Sequence, residues 1–252
     1  MVDYKILFSN IGYAKGIDGS LKSHIKNFHR HFYAGPVVQK QILDQVKSII
    51  KNEEPDLCCF VEIDRGSLHS GYYNQLEGLL DEEYAYHDIS NKYGHNNILS
   101  RMPLHTGKSN AFVSKQRLFF EHLYFEHGQK RLVYRIALPQ GGTLLFAHFS
   151  LNAKVRILQF QEVLDIADSI GGDIMILADF NILNGFSELA PFLRDNKFRV
   201  MNREEEYTFA FHNRQHTLDL CLCTRGMAER ANLSIIAQPY SDHDALLVRL
   251  AK

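Results

Sequence analysis

The stretch DIMILADFNILNG at positions 173–185 passes from an apolar run directly into an acid and an amide. Ile174 to Ala178 have the length and branching of a strand that is buried on both faces, which requires helices covering the sheet. Asp179 and Asn181 then lie at the carboxyl end of that strand, the edge at which open α/β sheets bind ligands. The alternative is a turn, because Asp and Asn favour turns and Gly185 can complete one. The residues at the ends of the other predicted strands distinguish a ligand site from a turn.

The composition is that of a globular protein with a substantial core. The 252 residues are 45% hydrophobic, and no linker, low-complexity tract or short repeat divides them, which indicates a single domain over residues 1–252. The 28 basic and 29 acidic residues give a net charge of -1, which excludes a global electrostatic surface for nucleic acid but leaves a local basic face open. No protein partner can be inferred from the sequence.

Four cysteines lie inside apolar runs and lack the spacing of a zinc site: Cys58, Cys59, Cys221 and Cys223. They are expected to be buried free thiols, which suits a reducing compartment. The N-terminus has an acid at its third position and too short an apolar run for a signal peptide, and no segment approaches the length of a transmembrane span. These features predict a cytoplasmic protein.

Other predicted strands also carry polar side chains at or near one end. A carboxylate such as Glu62 is costly there unless it is paired or binds a metal, which favours a ligand role over a surface acid; Asp64 is expected on the other face. A lone His in an apolar run is more often a core residue, so His148 needs partners before it indicates function. The strands and their polar residues are Tyr4 to Ile11 with Asn10, Asp56 to Ile63 with Glu62, Thr143 to Ser150 with His148, His216 to Cys223 with Asp219, and Ala245 to Leu250, preceded by Asp242 and His243.

Helices are predicted at Pro36 to Glu54, Ser70 to Leu80 and Ala153 to Ile170. The last has Asn152 as a plausible N-cap and connects two strands that are therefore expected to be parallel neighbours. Antiparallel strands around Gly128 and Gly141-Gly142 add a mixed character to the sheet. The apolar positions of the third helix that are expected to share its buried face are Ile157, Phe160, Val163, Leu164 and Ala167.

The segment from Lys15 to Gly35 interleaves basic residues with aromatic ones, including KSHIKNFHRHFYAG. Such a pattern can grip phosphates and stack rings, which makes the part from Lys15 to Tyr33 a candidate substrate loop. A solvated loop or short helix is the alternative.

Seven motifs occur in an order that resembles the endonuclease/exonuclease/phosphatase superfamily, which includes deoxyribonuclease I-like and exonuclease III-like enzymes. The resemblance runs from about Tyr4 to Leu250 and implies an α/β fold, a four-layer α/β sandwich with two packed mixed β-sheets flanked by helices, as one catalytic domain. The motifs are SNIG, PDLCCFVEID, NKYGHNNILSR, LLFAHFSL followed by Arg156 and Gln159, ILADFN, TFAF followed by TLDLCL, and YSDHDALLV.

The resemblance also implies a Mg²⁺ cofactor, with Mn²⁺ as a substitute. Glu62 would be the principal ligand, helped by Asn10 and Asp242. The metal would polarise a phosphoryl oxygen and offset the charge of the leaving group. Whether one or two metal ions act stays open.

The same resemblance implies hydrolysis of a phosphate ester by in-line attack of water. Asp179 would position or deprotonate the water, while Asn181 and His148 donate hydrogen bonds to the non-bridging oxygens. His243 would contact the phosphate or serve as the acid or base, and Asp219 would hold its other ring nitrogen. The sequence leaves open which of Asp179 and His243 is the base.

Two departures from the family pattern concern the surroundings of the site. Ala178 replaces a usual Gly, and its methyl group could tighten the packing under Asp179. Asn97 replaces a small residue, and with Arg101 it is a candidate substrate contact. The substrate is expected to be a phosphodiester or phosphomonoester with a nuclease-like enzyme favoured; a lipid or inositol phosphate is the alternative, and a non-catalytic scaffold that binds a phosphorylated ligand is the rival of another class.

Overall fold

The computed structural model describes residues 3–94 and 97–251, and its architecture confirms the predicted four-layer α/β sandwich. Two six-stranded mixed sheets pack against each other through a common core, and a helix layer covers the outer face of each. The helices are α1 (Leu21–Asn27), α2 (Pro36–Glu53), α3 (Ala153–Ile170), α4 (Ala190–Leu193) and α5 (Arg225–Arg230).

The first sheet has the strand order β13-β14-β1-β2-β4-β3. β1 and β2 run parallel, while β14 pairs with β1 in the antiparallel direction, so the two ends of the chain meet in the middle of this sheet. Its strands are β1 (Tyr4–Asn10), β2 (Leu57–Asp64), β3 (Tyr86–Asn91), β4 (Lys108–Ser114), β13 (Ala231–Ile236) and β14 (Ala245–Leu250).

The second sheet has the strand order β5-β6-β7-β8-β12-β9, and a small hairpin, β10-β11, stands apart from both sheets. β7 and β8 are parallel neighbours joined through α3, as predicted. The predicted strand from His216 to Cys223 is divided between the hairpin and this sheet. The strands are β5 (Phe120–Tyr124), β6 (Leu132–Ala137), β7 (Thr143–His148), β8 (Ile174–Asp179), β9 (Arg199–Val200), β10 (Phe209–Phe211), β11 (Arg214–His216) and β12 (Asp219–Cys223).

Alternation along the strands divides the apolar residues between a central core and two outer cores. In the centre, Phe8 and Cys59 of the first sheet lie in the same cluster as Phe146 and Leu177 of the second. α2 packs on the outer face of the first sheet, and α3 packs on the outer face of the second. The strand β8 is buried at every position, as its unbroken apolar run predicts for a strand covered on both sides.

The helix α3 begins as predicted but buries a different face in part. Asn152 caps it, because its side-chain oxygen accepts hydrogen bonds from the backbone N–H groups of Lys154 and Val155. The prediction that Ile157 lies on the buried face is wrong: its side chain is 56% exposed. Arg156 and Gln159 are buried instead, because both make hydrogen bonds that satisfy their polar groups inside the protein.

The predicted helix from Ser70 to Leu80 is also wrong, since this segment forms turns after a short 3₁₀ helix at Leu68–Ser70. Gly71 and Tyr72 both have positive φ angles, which end any helix there. Gln75 then fixes the turns from elsewhere in the chain: its backbone N–H donates to the carbonyl of Asp64 at 2.9 Å, and its side chain donates to the carbonyl of Tyr13 at 2.7 Å. Long-range hydrogen bonds therefore replace the helical ones.

The four cysteines are buried and free, as predicted. In residues 3–94 and 97–251, no helix combines the length and the apolar character that crossing a membrane requires.

Candidate active site

Three polar residues of the second sheet form a row across neighbouring strands. Strand pairing places His148 opposite Asp179, and Asp179 opposite Asp219. Each lies two positions from a residue of the central core on its own strand, so period-two alternation turns all three side chains toward the first sheet. The sheet itself therefore builds this part of the site.

The first sheet contributes Asn10 and Glu62 in a less regular way. Asn10 lies two positions beyond the core residue Phe8, so regular alternation brings it to the same face. Glu62 lies in a bulge of β2, where the pairing with β4 shifts register between Phe60 and Ile63, and its φ is 55°. A bulge re-aims a side chain, and it separates Glu62 from Asp64, which regular alternation would put on the same face. The side chain of Asp64 instead accepts hydrogen bonds from the loop that follows β2; for example, the backbone N–H of Gly66 donates to Asp64 Oδ1 at 2.8 Å.

Residues from both sheets converge on one carboxylate oxygen, Oδ2 of Asp179. Asn10 Nδ2 donates to it at 3.1 Å, His148 Nε2 lies 3.2 Å away and His243 Nε2 lies 4.0 Å away. Burial disfavours the charged form of Asp179, but His148, His243 and Lys130 hold the pKa of this carboxyl well below its usual range. Asp179 is therefore an ionised carboxylate at the centre of the cluster.

His243 and Asp219 form a buried pair beside it. His243 Nδ1 and Asp219 Oδ2 are 2.7 Å apart, and Thr208 fixes the backbone of Asp219 by accepting a hydrogen bond from its N–H at 2.9 Å. Burial lowers the pKa of His243, but the carboxylates of Asp219, Asp179 and Asp242 outweigh it and raise the pKa to about 10. The imidazole is therefore a cation at neutral pH.

Glu62 and His148 face one another across the site. Glu62 Oε1 lies 3.9 Å from His148 Nδ1, a buried atom without a hydrogen-bond partner in the described part of the chain. Burial and the neighbouring Lys130 lower the pKa of His148 to about 4, so its ring is neutral. Glu62 is ionised, because Lys92 and Lys130 overcome the effect of burial and depress its pKa.

Asn181, the second catalytic candidate in the stretch 173–185, lies just beyond β8 and has a φ of 54°. Its backbone N–H donates to Asp179 Oδ1 at 3.1 Å, and its side-chain Nδ2 donates to the carbonyl of Phe149 at 3.0 Å. One amide hydrogen of Asn181 is thus used inside the protein. Ala178, the departure from the family pattern, is fully buried directly before Asp179.

Oxygen atoms suited to Mg²⁺ surround Glu62. Asn10 lies on the adjacent strand, and its Oδ1 accepts the N–H of Gly12 at 3.1 Å. Asp242 is close to the same turn, since a Cβ placed on Gly12 would lie 4.0 Å from its Oδ1. Burial and the neighbouring Glu62 raise the pKa of Asp242, so a cation between these carboxylates would offset a repulsion. Glu62, Asn10 and Asp242 therefore fit a divalent metal.

A second group with ligand atoms close together consists of Asp179, Asp219 and His243, whose atoms lie within 4.8 Å of one another. Coordination through this group would require His243, a cation at neutral pH, to lose its proton. The residues around Glu62 fit a metal without such a loss.

Several side chains of the site were given no role in the sequence-based predictions. Lys92 Nζ lies 3.7 Å from Glu62 Oε1, and Lys130 Nζ makes a hydrogen bond with His148 Nε2. Gln159 of the fourth motif positions the segment that carries Lys130 by donating to its carbonyl at 2.8 Å. Gln238 donates to the carbonyl of His243 at 2.9 Å. None of these residues follows a buried strand, so the strand-end criterion could not find them.

The structure does not join the two candidate substrate residues to this cluster. Asn97 caps the 3₁₀ helix Ile98–Arg101 by accepting from the N–H of Leu99 at 3.0 Å, and the side chain of Arg101 is exposed. His95 and Asn96 of the same motif lie outside the described residues. A substrate role for Asn97 and Arg101 stays a prediction.

The basic and aromatic segment from Lys15 to Tyr33 contains the short helix α1 and lies next to the site. The carbonyl of Gly19 accepts a hydrogen bond from His212 of the hairpin at 2.7 Å, and Ala210 of the hairpin donates to the carbonyl of Asp242 at 2.9 Å. A groove of about 720 Å³ runs between α1 and the hairpin. Its lining residues are Leu21, His24, Ile25, Phe28, His31, Phe211 and His212.

Comparison with solved structures places this site on a known fold. An endonuclease/exonuclease/phosphatase from Beutenbergia cavernae is 15% identical with a TM-score of 0.69 over 100% of this chain and 72% of that one. D. rerio TDP2 complexed with single-strand DNA product is 12% identical (TM-score 0.67, 99% of both chains), and the human Nocturnin catalytic domain with bound sulfate is 15% identical (TM-score 0.63, 99% and 93%). No curated protein sequence matches the chain. Residues 43–243 match the model of the Endonuclease/Exonuclease/phosphatase family, and the chain therefore belongs to that family.

Proposed function

We propose that this protein is a divalent-metal-dependent phosphodiesterase that cleaves its substrate by in-line attack of water. The observation that carries the proposal is the convergence of Asn10, His148 and His243 within 4.0 Å of one oxygen of Asp179. An ionised, buried carboxylate with such neighbours can accept a proton from water and orient the water for attack on phosphorus. Family membership supports a phosphoric ester hydrolase.

Asp179 of the row and the neighbouring His243 have opposite charges, which suit this reaction. Asp179 would hold the attacking water as an ionised base, because its pKa is depressed. His243, as a cation supported by Asp219, would stabilise negative charge on the phosphoryl group. His148 Nδ1 and the free amide hydrogen of Asn181 would bind non-bridging oxygens. The opposed charges of Asp179 and His243 favour Asp179 as the base.

Glu62, Asn10 and Asp242 would hold the metal on the side of the site opposite the row. A bound Mg²⁺ or Mn²⁺ would polarise a phosphoryl oxygen and offset charge on the leaving group. Lys130, which contacts His148 and is attracted by Glu62 and Asp179, would add a positive charge close to the scissile phosphate.

We further propose that the substrate is nucleic acid or a nucleotide. The groove beside Asp242 exposes Phe28 and holds the rings of His24 and Phe211 with centroids 4.9 Å apart, and nucleobases stack on such side chains. The similar fold of D. rerio TDP2, whose structure contains a single-strand DNA product, supports the same class.

The test is a hydrolysis panel of single-stranded and duplex oligonucleotides, a phospholipid, an inositol phosphate and bis(p-nitrophenyl) phosphate, each with Mg²⁺, with Mn²⁺ and with a chelator. We expect metal-dependent cleavage of bis(p-nitrophenyl) phosphate and of oligonucleotides. Turnover of only the phospholipid or the inositol phosphate would overturn the proposal that the substrate is nucleic acid or a nucleotide. Absence of metal-dependent turnover of every substrate would overturn the enzyme and leave a scaffold that binds a phosphorylated ligand.

A further inference from the structure

Three lysine side chains surround the ring of Tyr13, on the side of the site next to Glu62. Their Nζ atoms lie 5.1 Å (Lys15), 5.0 Å (Lys92) and 5.0 Å (Lys108) from the ring centroid. Lys15 follows β1, Lys92 follows β3, and Lys108 begins β4. Three separate parts of the chain therefore bring positive charges to one place.

The fold holds Tyr13 firmly at the centre of these lysines. Tyr13 is 3% exposed, and its φ of 57° lies in the left-handed region that aromatic residues avoid. Its carbonyl accepts a hydrogen bond from the buried Gln75, which is bonded in turn to Gln39 at 2.6 Å. Its hydroxyl accepts a hydrogen bond from Lys92, which is 4% exposed. A strained backbone kept in place by buried hydrogen bonds marks a position with a purpose beyond packing.

The negative charges nearby do not balance these lysines. Among the residues that the structure describes, Lys92 alone of the three has a carboxylate within 4.0 Å, that of Glu62 at 3.7 Å. Asp64 uses its carboxylate for the backbone N–H groups of Gly66 and Ser67. Burial lowers the pKa of Lys108, and repulsion by Lys15 lowers it further. Once Glu62 binds a metal, the cluster lacks an anion.

We propose that Tyr13, Lys15, Lys92 and Lys108 bind a second phosphate group of the substrate, one that is not cleaved. Three lysine amino groups match the charge and the oxygen atoms of a phosphate. A bound phosphate would favour the charged form of Lys92, whose pKa burial lowers to about 7. The contact between Lys92 and Glu62 places this subsite directly beside the proposed metal. The proposal rests on the proposed function and narrows it to substrates that carry at least two phosphates.

Two variants, Lys15→Gln and Lys108→Gln, test the subsite, and Lys115→Gln is the matched control. Lys108 is the first residue of β4, and Lys115 follows its last residue. Lys115 also lies over a tyrosine ring, that of Tyr84 at 5.5 Å, and pairs with Glu83 at 2.7 Å. Thermal unfolding of each variant shows that it is folded.

The substrates are thymidine dinucleotides with and without a 5′-phosphate (pTpT and TpT), and a dinucleoside diphosphate whose two phosphates are joined directly. We expect Lys15→Gln and Lys108→Gln to reduce kcat/KM for a two-phosphate substrate about tenfold more than for TpT, since each loses a charge-assisted hydrogen bond. If the larger loss is seen with pTpT, the second phosphate belongs to a neighbouring nucleotide. If it is seen with the dinucleoside diphosphate, the second phosphate is part of a diphosphate. Equal losses on all substrates, or the same effect in Lys115→Gln, would overturn the subsite.

Direct binding separates this proposal from the proposed function. If the wild-type protein hydrolyses none of the panel, the function fails, and calorimetry with pyrophosphate and inorganic phosphate at low salt decides the subsite alone. Binding that Lys108→Gln weakens about tenfold and that Lys115→Gln leaves intact would support it. Absence of binding, or equal binding in the wild type and Lys108→Gln, would overturn it.

Discussion

The two sheets bring polar side chains to the same edge in different ways. The second sheet uses regular pairing, which aligns His148, Asp179 and Asp219 in one row. The first sheet uses irregular backbone, with Glu62 in a bulge at a φ of 55° and Tyr13 in the left-handed region. Regular strands hold their side chains without strain, whereas left-handed backbone is costly for residues with a Cβ. The proposed base, Asp179, thus lies on the regular side, and the proposed metal ligand Glu62 and the proposed site of the second phosphate lie on the strained side.

The largest expected effect comes from breaking the row at its centre. Asp179→Ala should lower kcat/KM for bis(p-nitrophenyl) phosphate by about 10³-fold or more, because it removes the proposed base and the partner of both imidazoles. Asp173→Asn, at the opposite end of β8 and paired with Arg230, is the control that should keep activity. Circular dichroism of Asp179→Ala and Asp179→Asn checks that the fold persists. Retention of more than about a tenth of wild-type activity in both would remove Asp179 from the mechanism.

A substitution of Glu62, in the irregular part of the first sheet, should change the metal concentration that activity requires. Glu62→Gln keeps the size of the side chain but removes its charge, so the Mg²⁺ concentration for half-maximal activity should rise at least about tenfold. Metal titration of activity and Mn²⁺ calorimetry measure this. Glu121→Gln, which removes an exposed partner of Arg135, is the control. An unchanged metal requirement in Glu62→Gln would move the proposed metal to other residues.

The pair at one end of the row should give stability a dependence on pH. The pKa of His243 is raised from 6.5 to about 10, so the stabilisation that its protonated ring contributes is complete below pH 6.5 and is lost as the pH rises through about 10. Burial raises the pKa of Asp219 to about 6, so the ion pair itself is present between about pH 6 and pH 10. Asp219→Asn should therefore lower the free energy of unfolding by about 3 kcal/mol near neutral pH and by much less above pH 10. Urea unfolding across this range measures the difference between wild type and variant. A constant difference would contradict the charged pair.

The smallest effect is expected where one buried side chain joins β1 to the loop that carries His243. Gln238 accepts hydrogen bonds from Ser9 and Tyr240 and donates to the carbonyl of His243. Gln238→Leu leaves these groups unpaired, so the protein should lose about 1–3 kcal/mol of stability and kcat/KM should fall by about tenfold. Gln161→Leu, on the exposed face of α3, is the control. Loss of stability without loss of activity would show that Gln238 only supports packing.

The regular part of the molecule could be predicted from the sequence, and the irregular part could not. Continuous apolar runs predicted the buried strands, and the polar residues at their ends are the ones that the structure brings together around Asp179. Glu62 was found by its position, but its orientation depends on a bulge that alternation does not encode. Of the lysines around Tyr13, only Lys15 lies in a predicted substrate segment, because Lys92 in a turn and Lys108 at the start of β4 are positions where a charged residue ordinarily predicts only a solvated surface.

The helices show the same limit. Ile157 fits an apolar stripe, yet Arg156 takes the buried place because the carbonyls of Ser150 and Leu151 accept its hydrogen bonds. The segment from Ser70 to Leu80 has helical composition, but Gln75 is held by residues far away in the sequence. Hydrogen bonds formed only in the folded chain decided both cases.

The pairing of β14 with β1 has a consequence for how the protein is made. Ser241 Oγ donates to the carbonyl of Asn10, although 231 positions separate the two residues. During synthesis, Asn10 and Glu62 therefore leave the ribosome long before the segment with Asp242 and His243 exists. Contacts between residues that are so far apart in the sequence also form slowly. The proposed hydrolytic chemistry would thus begin only after β14 has been synthesised and has inserted beside β1.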